Sequence, residues 1–205
     1  MATLYDIKPW FQSILRPKVA DLAAHGITAN EVTLAALAMS CGVGALVWLF
    51  PDSSIVLLLI VVALGLRMAL NAVDGLLARE HGQASPLGAL LNEISDLASD
   101  AALYLPLALV TGIPSTLAII AASLGLVVEG AGLAALLIGA PRGYQGPMGK
   151  SDRAFAFGLL AFLSAIGLAG TTLSSIILIA IIALAIWTIR NRVMAALDHG
   201  GASAT

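Results

Sequence analysis

The chain has 205 residues, of which 60% are hydrophobic and 11% are charged, and its formal net charge is −2. A soluble globular domain is roughly half apolar and a quarter charged, so this composition excludes that class and indicates a polytopic membrane protein. The single cysteine, Cys41, excludes an internal disulfide and a cysteine-based metal centre, and the weakly acidic charge gives no indication of a nucleic-acid partner.

The first predicted element is an N-terminal helix over residues 4–21. This stretch mixes Trp10 and other apolar side chains with charged ones such as Arg16, which makes it too polar to cross a membrane. The pattern is typical of an amphipathic helix that lies in the headgroup region of the bilayer. Thr28 and Glu31 then predict a capping box at the start of the first membrane span.

Six apolar runs follow, separated by segments that contain glycine and proline. Their lengths suit helices that cross a hydrocarbon core roughly 30 Å thick. The predicted spans are residues 32–50, 54–80, 87–111, 115–140, 153–170 and 172–193. We therefore expect an all-α membrane protein with six transmembrane helices in a single domain over residues 1–205.

The basic residues predict which side of the membrane each connection faces. Nine of the ten Lys and Arg residues fall in the N-terminal segment, the turn between spans two and three, the loop between spans four and five, or the C-terminal segment. The three remaining connections carry none. By the positive-inside rule, both termini and the turn between the second and third spans face the cytoplasm.

Polar residues that are costly at membrane depth cluster at the cytoplasmic ends of the second and third spans. Asn71 and Asp74 share a helix face on the second span, and Asn92 and Asp96 share one on the third. A turn of about six residues makes these spans antiparallel neighbours, so the two faces can meet. Carboxylate and amide oxygens are hard ligands, and together they predict a site for Mg²⁺ or Mn²⁺, with one or two ions.

The spacing of these residues resembles a known signature. The chain carries Asn71-x₂-Asp74-Gly75-x₂-Ala78-Arg79-x₈-Gly88-x₃-Asn92-x₃-Asp96. This pattern is similar to D-x₂-D-G-x₂-A-R-x₈-G-x₃-D-x₃-D, the signature of the CDP-alcohol phosphotransferase family. All the gaps are the same, and six of the eight specified residues are identical. The segment ITANEVT before the first span is also similar to the family's T-P-N-x-(L/I)-T.

The resemblance implies a phospholipid-synthesising phosphatidyltransferase of the bacterial inner membrane. Such an enzyme uses divalent metal to move a phosphatidyl group from CDP-diacylglycerol to a polar alcohol acceptor, and it releases CMP. The implied metal ligands are Asn71, Asp74, Asn92 and Asp96, and the implied CDP-donor-binding residues are Gly75, Ala78, Arg79 and Gly88. Asp96 is also the implied catalytic base for the acceptor hydroxyl. The resemblance further implies a homodimer among membrane lipids.

Asn71 and Asn92 depart from the signature, which has Asp at both positions. Each keeps an amide oxygen as a possible ligand, but neither carries a negative charge, and an amide does not bridge two metal ions as a carboxylate does. A single metal ion, or compensation by Glu93 or Asp100, would preserve activity. The alternative is a non-catalytic relative that binds nucleotide-lipid.

The loop before the fifth span carries Arg142, Lys150 and Arg153. Because family members that take phosphorylated acceptors use basic residues in this region, the resemblance makes these three candidate acceptor-binding residues. The alternative is that they orient the chain and attract anionic lipid. We interpret Arg190 and Arg192 as orienting charges.

Three further ionisable residues, Arg67, Asp100 and Glu129, lie inside the predicted spans. An ionisable group at that depth is expected to be paired or to face a wet cavity. We predict that Glu129 pairs with Arg67 and that Asp100 supports the metal site without binding metal itself. A role of Glu129 in a substrate cavity is the alternative.

Two other functions stay open at this point. One is transfer in which a CDP-linked polar alcohol is the donor and a lipid alcohol is the acceptor, since topology does not separate these roles. The other is a small ion-coupled transporter built on Glu129 and Asp100, which gives no reason for the spacing of the signature residues.

Overall fold

The computed structural model describes the backbone of residues 4–202 and the side chains of residues 12–199. Throughout that part of the chain the regular structure is helical. The α-helices are α1 (Leu4–Ala24), α2 (Ala29–Leu49), α3 (Ser54–Glu80), α4 (Pro86–Tyr104), α5 (Ser115–Ala134), α6 (Lys150–Ala165) and α7 (Thr171–Ala202). Short 3₁₀ helices extend α4 over Leu105–Leu109 and α5 over Ala135–Ile138. The predicted all-α class is therefore confirmed for the described residues.

Helix α2 begins at the predicted capping box. The Glu31 amide donates to Thr28 Oγ1 at 3.3 Å, and the Thr28 amide donates to Glu31 Oε2 at 2.8 Å. These two bonds satisfy backbone donors that the first turn of a helix otherwise leaves unpaired. The local sequence therefore fixes where α2 starts.

A tight turn joins α3 and α4 into an antiparallel hairpin. Gly82 adopts a φ of 68°, which glycine reaches without the strain of a side chain. Ser85 then caps α4, because its Oγ accepts from the Gly88 amide at 3.0 Å, and Pro86 occupies the first turn. The turn therefore places the last turns of α3 beside the first turns of α4.

The helices form one bundle in which α2 packs on α3 and α4, α5 packs on α7, and α3 packs on α6. The core contains fully buried apolar side chains such as Leu57, Leu103 and Leu178. Tyr104 and Phe157 stack with their ring centroids 4.1 Å apart. This stack joins the last residue of α4 to the middle of α6.

Four described helical segments are long and apolar enough to cross a membrane: Ala29–Leu49, Ser54–Glu80, Ser115–Ile138 and Thr171–His199. Large apolar side chains point outward from this bundle, as expected where lipid surrounds a protein. The other two predicted spans correspond to α4, which carries three carboxylates, and α6, which has 16 residues. The count of six spans stays a prediction.

Helix α1 packs on α3 and is tied to it by an ion pair. Arg16 Nε donates to Glu80 Oε2 at 3.1 Å, and this bond raises the pKa of the Arg16 guanidinium. The side chains of residues 4–11, including Trp10, lie outside the described residues. That α1 is amphipathic and lies in the headgroup region therefore stays a prediction.

Candidate functional site

An open cavity of about 300 Å³ lies where α3 ends and α4 begins. All eight positions of the sequence signature line it: Asn71, Asp74, Gly75, Ala78, Arg79, Gly88, Asn92 and Asp96. The first five lie on α3 and the last three on α4, and α2 packs on both helices. The cavity wall is completed by residues from the first turns of α2, the α3–α4 turn and Lys150.

The first turn of α2 is fixed to the hairpin by Gln83. Its Oε1 accepts from the Ala29 amide at 2.6 Å, and its Nε2 donates to the Ile27 carbonyl at 3.3 Å. Asn30 and Thr33 consequently face the cavity. These three cavity residues, Asn30, Thr33 and Gln83, are absent from the sequence-predicted site. Asn30 and Thr33 match fixed positions of the ITANEVT segment, which was the signal available for them.

Asp74 is held in one orientation at the cavity wall. Its side chain is largely buried, and its Oδ2 accepts a hydrogen bond from Thr33 Oγ1 at 2.8 Å. Thr33 itself is positioned by a second bond from Oγ1 to the Ala29 carbonyl at 3.0 Å. The α2 helix therefore orients a carboxylate that α3 supplies.

Asp96 is the most heavily contacted carboxylate of the cavity. Its Oδ1 accepts from Arg67 Nη2 and from Asn71 Nδ2, both at 3.3 Å, and it also pairs with the Lys150 ammonium group. Arg67 Nη2 donates in addition to the Asp96 backbone carbonyl at 2.8 Å. All three donors converge on the same oxygen, Oδ1, so these contacts leave Oδ2 as the oxygen that can meet a ligand.

The two glycines of the signature keep the cavity open. A Cβ at Gly75 would lie 2.9 Å from Arg79 Nη2, so the Arg79 guanidinium folds back over Gly75. A Cβ at Gly88 would lie 2.9 Å from Asn30 Oδ1. Arg79 is exposed and has no ion-pair partner among the described residues, which leaves its guanidinium available to an anionic ligand.

A continuous set of ion pairs leads away from Asp96 into the bundle, and we call it the ion-pair network. Arg67 pairs with both Asp96 and Asp100. Arg153 Nη2 donates to Asp100 Oδ2 and to Glu129 Oε1, and both of these bonds are 2.8 Å long. The network consists of Lys150, Asp96, Arg67, Asp100, Arg153, Glu129, Arg142, Glu93 and Arg192.

Glu129 pairs with three arginines in this network. Besides Arg153, it contacts Arg142 Nη2 at 3.2 Å and Arg192 Nη1 at 3.5 Å. The predicted pairing of Glu129 with Arg67 is wrong, because Arg67 on α3 reaches the carboxylates of α4 before it could reach α5. Glu93 and Asp100 do not act as replacement carboxylates in the cavity, since neither lines it and each is bound to arginine.

The three candidate acceptor-binding residues have separate environments. Lys150, at the first residue of α6, lines the cavity, and its side chain is 31% exposed. Arg153 is fully buried and bonded to two carboxylates, so the structure places it away from the cavity. Arg142 pairs with Glu93 and lies outside the cavity lining as well.

Arg192 is more than an orienting charge. It is 2% exposed, and its Nη1 donates to the Val128 carbonyl at 2.7 Å while its Nε donates to the Gln145 carbonyl at 3.4 Å. These bonds tie α7 to α5 and to the loop before α6. A basic residue near a predicted membrane boundary gave no signal for this role, because burial there depends on packing between distant helices.

The cavity donors fit a divalent cation. Asp74 and Asp96 offer carboxylate oxygens, and Asn71 and Asn92 offer amide oxygens, all of the hard type that Mg²⁺ and Mn²⁺ prefer. In the described part of the chain, no three His, Cys, Asp or Glu side chains are grouped as a metal site, which follows from asparagine at two of the four positions. The cavity therefore supplies two negative charges where the full signature would supply four.

Comparison with known proteins agrees with the signature. Residues 27–197 match the family model described as CDP-alcohol phosphatidyltransferase. The chain is 49% identical over 164 residues to the inner membrane protein YnbA of Escherichia coli (strain K12), a match that covers 80% of this chain and 81% of that protein. This match shows that the resemblance to YnbA extends over most of the chain.

A second relative is the archaetidylinositol phosphate synthase of Aeropyrum pernix, 30% identical over 130 residues that cover 62% of this chain and 63% of the relative. Among solved structures, the phosphatidylinositol phosphate synthase PgsA1 of Mycobacterium tuberculosis with CDP-DAG bound matches with a TM-score of 0.76 and 19% identity, covering 90% of this chain and 94% of that one. The same enzyme with manganese and citrate matches with a TM-score of 0.75, covering 88% of each chain.

At 19% identity the structural matches show a shared fold. The family match over residues 27–197 extends beyond the signature hairpin and includes all of α2 to α6. Together with the relative that is 49% identical over most of its length, it shows that the chain belongs to the CDP-alcohol phosphatidyltransferase family, whose members are membrane-bound transferases of substituted phosphate groups.

Proposed function

We propose that the chain moves a phosphatidyl group from CDP-diacylglycerol to a polar alcohol acceptor and releases CMP, using Mg²⁺ or Mn²⁺. The observation that carries this proposal is that all eight signature positions line one cavity. That PgsA1, which shares the fold, was solved with CDP-DAG bound supports the choice of donor.

On the donor side, the small residues of the signature leave space for the nucleotide, and the charged residue contacts its phosphates. Gly75, Ala78 and Gly88 leave space at the cavity wall for a nucleotide to approach the helices. The Arg79 guanidinium lies over Gly75 and can donate to oxygens of the pyrophosphate. We expect Arg79 to hold the donor while the bond between the phosphatidyl phosphorus and the CMP oxygen breaks.

On the acceptor side, Asp96 is the proposed general base. The acceptor hydroxyl oxygen bonds to the phosphatidyl phosphorus, its proton passes to the Asp96 carboxylate, and CMP departs. The Oδ2 atom of Asp96 is the oxygen suited to this step, because Oδ1 is held by Arg67, Asn71 and Lys150. Lys150 lines the cavity beside Asp96 and can orient the acceptor.

Divalent metal would be held by Asp74 and Asp96 together with the amide oxygens of Asn71 and Asn92. The bound ion would neutralise charge on the transferring phosphoryl group and on its leaving group. Because neither Glu93 nor Asp100 contributes a further carboxylate to the cavity, we expect one ion in the protein alone. The Lys150 ammonium group supplies an additional positive charge at Asp96.

The proposed location is the bacterial inner membrane, with both termini and the cavity on the cytoplasmic side. The positive-inside distribution of Lys and Arg supports this orientation, and the inner membrane relative in Escherichia coli supports the location. A homodimer surrounded by membrane lipids is also part of the proposal, by resemblance to the family.

The proposal is tested by CMP release from CDP-diacylglycerol with purified protein, Mg²⁺ or Mn²⁺, and a panel of polyols, amino alcohols and their phosphates. We expect CMP release that depends on both metal and acceptor. The variant Asp96→Asn keeps the shape of the site but lacks a base, and it should lower the rate by about 10²-fold or more. A near-normal rate in Asp96→Asn would exclude Asp96 as the base.

The non-catalytic alternative is motivated by Asn71 and Asn92. It predicts that the protein binds CDP-diacylglycerol and releases no CMP with any acceptor or metal. The donor and acceptor roles are separated by supplying a CDP-linked polar alcohol with diacylglycerol in the same assay. CMP release in that arm, and none from CDP-diacylglycerol, would reverse the proposed roles.

The structure does not support the alternative that the chain is an ion-coupled transporter. Glu129 and Asp100 are bonded to arginine side chains, and neither lines the cavity. Carboxylates neutralised in this way do not form a route for an ion.

A further inference from the structure

The arginines of the ion-pair network are already bound to carboxylates. Arg67 contacts Asp96 and Asp100, and Arg153 contacts Asp100 and Glu129. The same holds further out, where Arg142 pairs with Glu93 and Glu129, and where Arg192 lies 3.5 Å from Glu129. Every guanidinium of the ion-pair network therefore has an anionic partner within the protein.

The two cations that line the cavity have different positions. Lys150 is paired with Asp96, so its charge is balanced by the residue proposed as the base. Arg79 is without an ion-pair partner among the described residues, but it folds over Gly75 on the side assigned to the donor pyrophosphate. Apart from Arg79, the described cavity lining thus offers no cation that lacks a carboxylate partner.

A phosphate monoester carries a charge of about −1.5 to −2 at neutral pH and is bound by unpaired Arg or Lys side chains. To provide one, the network would have to release an arginine and leave a buried carboxylate without its partner, which costs free energy. An uncharged alcohol requires no such exchange, because its hydroxyl groups can bond to the carboxylate and amide groups of the cavity.

We infer that the acceptor is an uncharged polar alcohol and that Glu93 and Glu129 exclude phosphorylated acceptors by holding Arg142, Arg153 and Arg192 outside the cavity lining, where these arginines do not meet an acceptor's phosphate. The inference rests on the proposed function for its acceptor site. Glu93 and Glu129 are specificity-determining residues in this scheme, and they act through Arg142, Arg153 and Arg192. Asp96 and Lys150 remain the residues that meet the acceptor.

The first test uses the protein without mutation and compares matched pairs of acceptors. Glycerol is compared with glycerol phosphate, and inositol with inositol phosphate, in the CMP-release assay with CDP-diacylglycerol. We expect the unphosphorylated member to react at least about tenfold faster at equal concentration. An equal or faster rate with the phosphorylated member of the reactive pair would overturn the inference.

A binding measurement separates this inference from the proposed function. Thermal shifts of protein loaded with CDP-diacylglycerol are recorded with glycerol phosphate, inositol phosphate and inorganic phosphate. We expect no shift up to about 10 mM, whereas a dissociation constant below about 1 mM for a phosphate monoester would overturn the inference. If no acceptor releases CMP, the proposed function fails, and this binding result still decides whether the arginines are available to phosphate.

Variants test the role of the carboxylates. Glu129→Gln removes the anion shared by three arginines and should create phosphate binding detectable in the thermal-shift measurement. Because buried arginines with one partner fewer can prevent folding, Glu93→Gln at the partly exposed end of the network is the second variant, with 22% exposure for both Glu93 and Arg142.

Glu80→Gln is the matched control. This carboxylate pairs with Arg16 outside the network and does not line the cavity, so its loss should leave phosphate binding unchanged. Folded Glu129→Gln or Glu93→Gln protein that binds phosphate no better than Glu80→Gln would overturn the assigned role of these two carboxylates.

Discussion

At the scale of single residues, Asn71 and Asn92 decide how much charge the cavity offers to metal. Asp74 is oriented by Thr33, and Asp96 is shared with Arg67 and Lys150, so the cavity has two carboxylates and no replacement for the two that the signature would add. Sequence comparison identified these positions. That Glu93 and Asp100 lie outside the cavity lining and pair with arginines became visible only in the structure.

Restoring the signature should change metal binding. We predict that Asn71→Asp combined with Asn92→Asp raises the affinity for Mn²⁺ by about tenfold or more, because two added carboxylates attract a divalent ion more strongly. The measurement is a Mn²⁺ titration followed by electron paramagnetic resonance, which also gives the number of ions bound. An unchanged titration would show that positions 71 and 92 do not ligate metal.

Lys150 and Arg153 lie one helical turn apart on α6 and should respond differently to loss of charge. Arg153→Met leaves Asp100 and Glu129 with one partner fewer in the bundle interior, so we predict a loss of about 3–5 kcal/mol in stability and a clear drop in melting temperature. Lys150→Met, at the cavity surface, should change melting temperature little and lower the rate of CMP release. Similar melting temperatures for the two variants would contradict this division.

At the scale of elements, α2 and α4 approach each other closely at Gly44. A Cβ at Gly44 would lie 2.0 Å from the Ala102 carbonyl oxygen, so only glycine permits this contact. Gly42, half a turn earlier on the same helix, has open space around it. The sequence showed that small residues occur here, and the structure distinguishes the one that faces another helix.

This contact gives a matched pair of substitutions. We predict that Gly44→Ala forces α2 and α4 apart and lowers the melting temperature, because the clash is with backbone and cannot be relieved by a side-chain rotation. Gly42→Ala adds the same methyl group without a contact and should be neutral, or stabilising by up to about 1 kcal/mol through helix propensity. Equal effects of the two variants would show that α2 and α4 do not approach at Gly44.

At the scale of the whole molecule, the proposed orientation places the cavity on the cytoplasmic side. The described structure supplies the bundle and its apolar exterior, while the orientation rests on the distribution of Lys and Arg. His81 follows the end of α3, on the side of the bundle that contains the cavity. Thr172 lies in the first turn of α7, just after the connection from α6.

The orientation is tested by labelling single cysteines in intact cells. In a Cys41→Ala background, Thr172→Cys should react with a membrane-impermeant maleimide added outside the inner membrane, and His81→Cys should react only after the membrane is permeabilised. Both side chains are exposed, so accessibility to the reagent reports the side of the membrane. The opposite labelling pattern would invert the proposed topology.

Features that depend on local spacing follow from the amino-acid sequence alone. Apolar runs specified helices, the Thr28–Glu31 box specified where α2 starts, and the short turn at Gly82 brought the signature residues of α3 and α4 to one cavity. These follow from helical periodicity and turn geometry, which involve residues close in the chain.

Which charged side chains meet depends on how the helices pack. Glu129 on α5 binds arginines from the following loop, α6 and α7, and Arg192 is buried by the same packing. Ion-pair partners that lie on different helices depend on how the helices rotate and approach one another, and periodicity within one helix does not contain that information. The packing of α5, α6 and α7 therefore determines which basic residues can reach a ligand, and Lys150 is the one that it leaves at the cavity.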